Sequence, residues 1–281
     1  MKKHNSITAK TPKSTGKLTQ AERADRHKLY QKSVQDTDFE FDFVDATFKR
    51  LRGRTAHHLR EDFCGTAAMC CEWVQRRRDN HAVGVDLDAE VLAWGRANNL
   101  SKIPLSDQRR VTLVEGNVLS VDLEPVDLLL AMNFSYQCFK DRAQLRRYFE
   151  CAHKALVDDG VLIMDAFGGY EAIREMTERT EHKKFTYVWD QDRYDPITGE
   201  ILCHIHFHFP DGSKLKRAFT YDWRLWSLPE LQEILVEAGF QKVTVYWQGT
   251  EEDTNEGDGN FEPAEHGEAD PAWVCFISAE K

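Results

Sequence analysis

The chain has 281 residues, enough for one large domain with a real core or for two small ones. Its composition, 41% hydrophobic and 30% charged, is ordinary for a globular protein, and no apolar run is long enough to span a bilayer. A net charge of -10 argues against a duplex nucleic-acid partner, because phosphate contacts need clustered Lys and Arg. The start, MKKHNSITAKTPKSTGK, lacks the apolar centre of a secretory signal, and the seven scattered cysteines include no C-x-x-C. Free thiols in a reducing compartment follow, and a cytoplasmic protein is expected.

Residues 1–20 carry five Lys and no acid, and read as a disordered basic tail. A weak contact of that tail with RNA or a membrane is the alternative. Residues 21–55 form a helical cap, with helices over 19–35 and 39–51. A cofactor-binding core spans 56–180. It opens with a strand over 56–63, closed by Cys64-Gly65-Thr66, and a helix over 67–78. A strand over 81–87 leads into a helix started by Asp88-Ala89-Glu90. Strands over 111–115 and 126–132 follow. A helix over 141–157 carries an apolar stripe at Leu145, Tyr148, Phe149, Ala152 and Leu156, and a strand over 161–167 comes next. Short apolar strands alternating with helices predict an open, mostly parallel sheet covered on both faces. Over 181–226 the pattern changes. Runs 184–190, 200–209 and 214–223 alternate polar and apolar and are joined by turn residues, which predicts an antiparallel insert. The last unit, 227–281, holds a capping box at Ser227 and Glu230, a helix ended by Gly239, and a strand pair at 242–247 and 273–278. The acidic segment 248–271 between them reads as a solvated loop, with covering the site or binding a cation as the alternative.

The stretch Glu61-Asp62-Phe63-Cys64-Gly65-Thr66-Ala67 follows a strand and precedes a helix, where small residues let backbone approach a ligand. Asp86 lies at the end of the next strand, and an acid about 20 residues past such a turn binds ribose hydroxyls in a doubly wound sheet. That spacing alone does not separate a nicotinamide dinucleotide from S-adenosylmethionine. The turn disfavours the dinucleotide, since Gly65 stands alone where a pyrophosphate site wants G-x-G-x-x-G.

With these features together, residues 56–167 and the order of elements out to 281 resemble the class I S-adenosylmethionine-dependent methyltransferases of small molecules. The family's first motif runs acid-x-Gly-x-Gly-x-Gly. Here Glu61 and Gly65 match, while Phe63 and Ala67 replace the other two glycines. Gly84-Val85-Asp86-Leu87-Asp88 resembles the ribose-binding strand end. Glu115-Gly116-Asn117-Val118 resembles the adenine-reading motif, with Asn117 in the position of the usual Asp and Val118 packing nearby. The fourth motif ends in Asn133-Phe134, at the point which in the family faces the reactive methyl. The resemblance implies an α/β, Rossmann-like, seven-stranded methyltransferase sheet with the antiparallel insert as a lid. It also implies S-adenosylmethionine as cofactor and methyl transfer to a small molecule. Tyr30 is expected to close over the cofactor from an N-terminal helix, or to be a packed helix residue. Arg60 is expected to pair with the cofactor carboxylate, or with Glu61 or Asp62.

A weakly acidic methyl acceptor needs a base, and Asn133, Tyr136 and Tyr170 stand at the expected strand ends. His204, His206 and His208 share one strand face. One of them, His206, is a candidate base and His204 a substrate contact; a solvated polar face is the alternative, and no metal is assigned. Trp223 and Arg224 are candidate acceptor-binding residues, with burial against the capped helix as the alternative. Rival readings are a nicotinamide-dependent oxidoreductase, a non-catalytic nucleoside-binding protein, and an RNA methyltransferase guided by the basic tail. The acceptor atom and the oligomeric state, a homodimer included, are not fixed by the sequence.

Overall fold

The computed structural model describes residues 17–250 and 257–281, so most of the basic tail and residues 251–256 of the acidic segment lie outside the described residues. The first helical stretch breaks into α1 (Gln20–Arg23) and α2 (Arg26–Val34), because Asp25 is extended and its carboxylate caps α2. Next come α3 (Thr37–Arg52), β1 (His58–Asp62), α4 (Ala68–Arg76) and β2 (His81–Asp86). They lead into α5 (Ala89–Asn98), α6 (Leu105–Gln108), β3 (Val111–Glu115), β4 (Val126–Ala131), α7 (Arg142–Lys154) and β5 (Leu156–Gly168). The second half holds β6 (Met176–His182), β7 (Phe185–Tyr194), β8 (Glu200–His208), β9 (Lys214–Arg224), α8 (Leu228–Glu237), β10 (Lys242–Thr250), β11 (Gly257–Pro263) and β12 (Trp273–Glu280).

The large sheet runs β11-β10-β12-β5-β4-β1-β2-β3. The run from β5 to β3 is parallel, and β12, β10 and β11 are antiparallel. Every residue of β4 is buried, as expected of a central strand covered on both faces. Neighbouring β1 and β4 run in the same direction, and β2 lies on the other side of β1. Strand order therefore reverses between β1 and β4, which makes the crevice at their carboxyl ends the topological switch point where such sheets bind ligands.

The described residues hold eight strands in this sheet, one more than expected. The additional strand, β11, comes from the acidic segment read as a loop. Phe261 anchors it against Phe43 and Phe276, with ring centroids 6.0 and 4.8 Å apart, while Glu262 reaches Arg50 at 3.2 Å. The insert is a separate sheet of four strands in the order β6-β7-β8-β9, and it begins at Met176 rather than near 181. The inner face of this insert packs on Leu29, Tyr30 and Val34 of α2 and on Phe134 and Phe167 at the ends of β4 and β5. It covers the switch point as a lid. All seven cysteines are free thiols, and no described helix is long and apolar enough to cross a membrane.

Candidate active site

The turn after β1 is left-handed at alternate residues: Phe63 (φ 59°), Gly65 (φ 52°) and Ala67 (φ 55°). These are the three positions where the motif has glycine. The backbone keeps the glycine conformation although two of the residues carry a Cβ, which is strained for L-residues. Packing holds it. The Phe63 ring lies 5.5 Å from Tyr148 and 6.0 Å from Phe139, and Ala67 is fully buried. The Asp86 carboxylate accepts hydrogen bonds from the Gly65 amide at 2.8 Å and the Asp88 amide at 2.9 Å, which ties the turn to the end of β2. The next turn residue, Thr66, accepts from Gln31 of α2 and from Asn99, both at 2.9 Å.

Behind the turn, Glu61 is 6% exposed, and the Cys70 thiol donates to it at 3.0 Å. Burial, and then the nearby carboxylates of Asp86 and Asp62, push its pKa up to about 7. Asp165 of β5 accepts the backbone amides of Asn133 at 2.9 Å and Phe134 at 2.8 Å. Those two residues are consecutively left-handed (φ 56° and 58°), so a buried carboxylate stabilises a strained pair and fixes where Asn133 points. Burial raises the Asp165 pKa to about 7 against the effect of those amides.

Two cavities meet here. The first, about 550 Å³, is lined by the turn, by Glu61 and Asp86, and by Arg26, His27 and Gln35 above them. The second, about 440 Å³, lies between the lid and the ends of β4 and β5. Tyr30, Asn133, Tyr221 and Trp223 line both. Both volumes suit small ligands. In the first cavity the buried Gln35 Oε1 has no hydrogen-bond partner, and neither Glu61 nor Asp86 forms an ion pair among the described residues. A free amide oxygen beside two carboxylates without a counter-charge fits a ligand that brings hydroxyls and positive charge.

Solved structures share this architecture. A S-adenosylmethionine-dependent methyltransferase from Clostridium acetobutylicum is 14% identical over 90% of this chain and 96% of that one, with a TM-score of 0.66. This is the methyltransferase fold. An amino pentose methyltransferase of Micromonospora echinaspora, solved with S-adenosylmethionine bound, is 16% identical, covers 91% of this chain and 96% of its own, and has a TM-score of 0.64. A sugar N-methyltransferase from Streptoalloteichus is 16% identical over 99% of both chains, with a TM-score of 0.62. No protein-family profile matches the sequence, and no curated protein matches it.

Within the methyltransferase fold, Tyr30, Glu61, Gly65, Asp86, Asn133, Phe134 and Trp223 line one cavity or both. Other expected residues stand elsewhere. Arg60 is 2% exposed, and its Nε donates to Asp62 Oδ1 at 2.7 Å, so its charge is already paired inside the protein. Leu87, Asn117 and Val118 lie at the ends of β2 and β3, outside the cavity lining. Tyr136 is fully buried in the main core, and Tyr170 is 56% exposed away from both cavities.

His206 as base and His204 as substrate contact are corrected. Ile205 lines the second cavity, and strand alternation sends its two neighbours to the opposite face. There His204 Nδ1 is 3.0 Å from Thr220 Oγ1, and His206 Nε2 is 3.1 Å from Asp190. The row is not simply solvated either, since His204 is 2% exposed. Arg224 bonds to Glu230 at 3.0 Å and stacks on Trp226 at 3.6 Å, so the half-buried guanidinium is already paired against the capped helix. Several lining residues were not expected, namely Gln35, Tyr187, Trp189, Tyr221 and Glu178, and neither was Asp165, which lies outside the lining and positions Asn133 and Phe134. Period-two aromatics at 187/189 and 221/223 were the available signal for three of them, Tyr187, Trp189 and Tyr221.

Proposed function

We propose that this protein is an enzyme that binds S-adenosylmethionine and transfers its methyl group to a small-molecule acceptor. The observation that carries this reading is the pair of adjoining cavities, one acidic at the switch point and one aromatic under the lid, joined at Tyr30, Asn133, Tyr221 and Trp223. When bound, the cofactor supplies a methyl group made electrophilic by a sulfonium. The chain's residues supply the rest. Asp86 accepts hydrogen bonds from the ribose, and Glu61 faces the cationic end. Leu87 and Asn117, at the ends of β2 and β3 beyond the cavity lining, would stand nearest the adenine, with the buried Val118 packed behind them. Tyr30 and Trp223 exclude water where the two ligands meet, and Asn133 is the polar group at that junction. Alignment and a dry junction are the main requirements of an in-line displacement. The free thiols support a cytoplasmic setting.

Calorimetric titration with S-adenosylhomocysteine tests the reading. Saturable binding is expected, with none for nicotinamide dinucleotides. Asp86→Ala is expected to weaken it by about 1.5–3 kcal/mol, the range for a lost charge-assisted hydrogen bond. Unchanged affinity in that variant would remove the ribose assignment.

A further inference from the structure

We propose that the methyl acceptor is an amine, selected by the Glu178 carboxylate and the aromatic walls of the lid cavity; this rests on the methyltransferase reading above. Glu178 stands on β6 directly opposite Trp189 of β7, and both line the cavity. Among the described residues its carboxylate has neither a hydrogen bond nor an ion pair, whereas Glu171, the other carboxylate of the lining, is held by Arg174 at 2.8 Å. Gln191 is also spent. Its Nε2 donates to the Glu171 and Arg174 carbonyls at 2.9 and 2.8 Å, and its Oε1 accepts from the Trp189 indole at 3.3 Å.

Most of the remaining large side chains are aromatic, beside Val34, Met176, Ile205 and Gln248. Tyr221 lies 4.3 Å from Trp223 and 5.9 Å from Trp189, and Phe134 lies 4.7 Å from Phe167, as ring centroids. No Lys, Arg or His lines the cavity among the described residues. Aromatic faces attract cations, and an unpaired carboxylate in the same wall adds to that attraction. An anionic acceptor would find the unpaired Glu178 carboxylate and no cationic side chain in the lining.

The chemistry runs the same way. An acceptor hydroxyl must give up its proton as it reacts, and the lining offers only weakly basic carboxylates for it, with no histidine or lysine, while burial pushes the Tyr30 and Tyr187 phenols far above their usual range. A bound ammonium first gives a proton to water at the cavity mouth, and the uncharged amine that remains needs no base as it reacts. Its nitrogen lone pair forms the new C–N bond while the C–S bond breaks with its electron pair passing to sulfur; the nitrogen becomes positive and then loses a proton to water. The positive charge thus moves into the lid cavity, where Glu178 and the aromatic faces stabilise it as it arrives.

The test uses the full chain saturated with S-adenosylhomocysteine and reads quenching of Trp189, Trp223 and Trp273 fluorescence. The probes are cyclohexylammonium, cyclohexanol and cyclohexanecarboxylate, which share a ring and differ in charge. Cyclohexylammonium is expected to bind at least ten-fold more tightly than the alcohol, with the carboxylate weakest. Glu178→Gln, on an exposed edge strand, should fold with an unchanged melting temperature and lose most of that preference while alcohol affinity stays the same. Trp189→Leu should also lower ammonium affinity more than alcohol affinity. Equal or tighter binding of the alcohol or carboxylate, no saturable ammonium binding, or a preference untouched by Glu178→Gln overturns the inference. If S-adenosylhomocysteine itself fails to bind, it is the functional reading that falls.

Discussion

Gly65 and Gly95 flank the same turn for different physical reasons. A Cβ on Gly65 would meet nothing within 4 Å, but the residue is left-handed at φ 52°. A Cβ on Gly95 would stand 2.5 Å from the Thr66 carbonyl oxygen on an ordinary helical backbone. Gly65→Ala is therefore expected to cost about 1–2 kcal/mol of backbone strain and to keep the turn, as Phe63 and Ala67 already do. Gly95→Ala pushes α5 away from Thr66, costs about 1–3 kcal/mol of overpacking, and displaces the turn that holds Asp86. Denaturation and S-adenosylhomocysteine calorimetry separate them: both variants lose stability, and Gly95→Ala loses more cofactor affinity per kcal/mol of stability lost. The reverse ranking would contradict this account of the turn. Gly65 and Asp86 were legible in the sequence because covalent spacing along a strand-turn-helix unit fixes both. Arg60 was not, because a guanidinium has many eligible partners; the buried Asp62, two residues on and so on the same strand face, takes it. Tyr136 and Tyr170 misled because proximity to a strand end says nothing about direction once the chain turns left-handed at Asn133 and Phe134.

At the scale of elements, α1 and α2 strap the lid to the core. The Gln20 amide donates to Asp211 at 2.8 Å, and the Ala21 amide to Ser213 at 3.0 Å, at the tip of the β8–β9 turn. At the other end Asp25 does two things with one carboxylate: it caps α2 through the His27 and Lys28 amides, and it accepts the Trp94 indole of α5 at 2.9 Å. Removing it with Asp25→Ala is expected to cost about 1 kcal/mol from the cap, and more from the lost indole bond. The strap lies over the first cavity, so the expected readout is S-adenosylhomocysteine leaving several-fold faster in stopped-flow fluorescence, beside a small drop in melting temperature. An unchanged dissociation rate would mean that α2 is not a gate. The parallel strands and the meander were readable because burial on two faces or on one leaves a continuous or an alternating pattern. β6 and β11 were not. β6, with the sequence MTERTEH, is a sheet-edge strand whose side chains are largely exposed, and β11 (GDGNFEP) is secured by a single ring, Phe261.

The whole molecule carries a net charge of -10, and part of that charge is stored where it does not ionise readily. Burial lifts Glu40 to about 8 and both Glu61 and Asp165 to about 7, and Asp165 and Glu61 in turn raise Glu40. A carboxyl whose folded pKa lies above its unfolded value keeps its proton in the native state after the unfolded chain has lost it. The native state then binds more protons than the unfolded state, and stability falls as pH rises. The window runs from the unfolded values near 4 up to about 8. At 1.36 kcal/mol per pKa unit, each group contributes a loss of roughly 3–5 kcal/mol at most. Exposed pairs act in the opposite sense at lower pH: Arg54 holds Asp159 below the usual carboxylate range, and that contribution is lost on acidification. Stability is therefore expected to peak near the lower edge of the window and decline towards pH 8, with Glu61→Gln flattening the decline. A cationic cofactor reverses the local balance, because positive charge beside Glu61 favours its ionised form. Binding should release protons between about pH 6 and 7.5, more for S-adenosylmethionine than for S-adenosylhomocysteine, since only the former carries the sulfonium. Calorimetry in buffers of different ionisation enthalpy reads that release directly. Glu61→Gln should abolish most of it, and proton release that is absent, or equal for the two ligands, would show that Glu61 does not face the sulfonium.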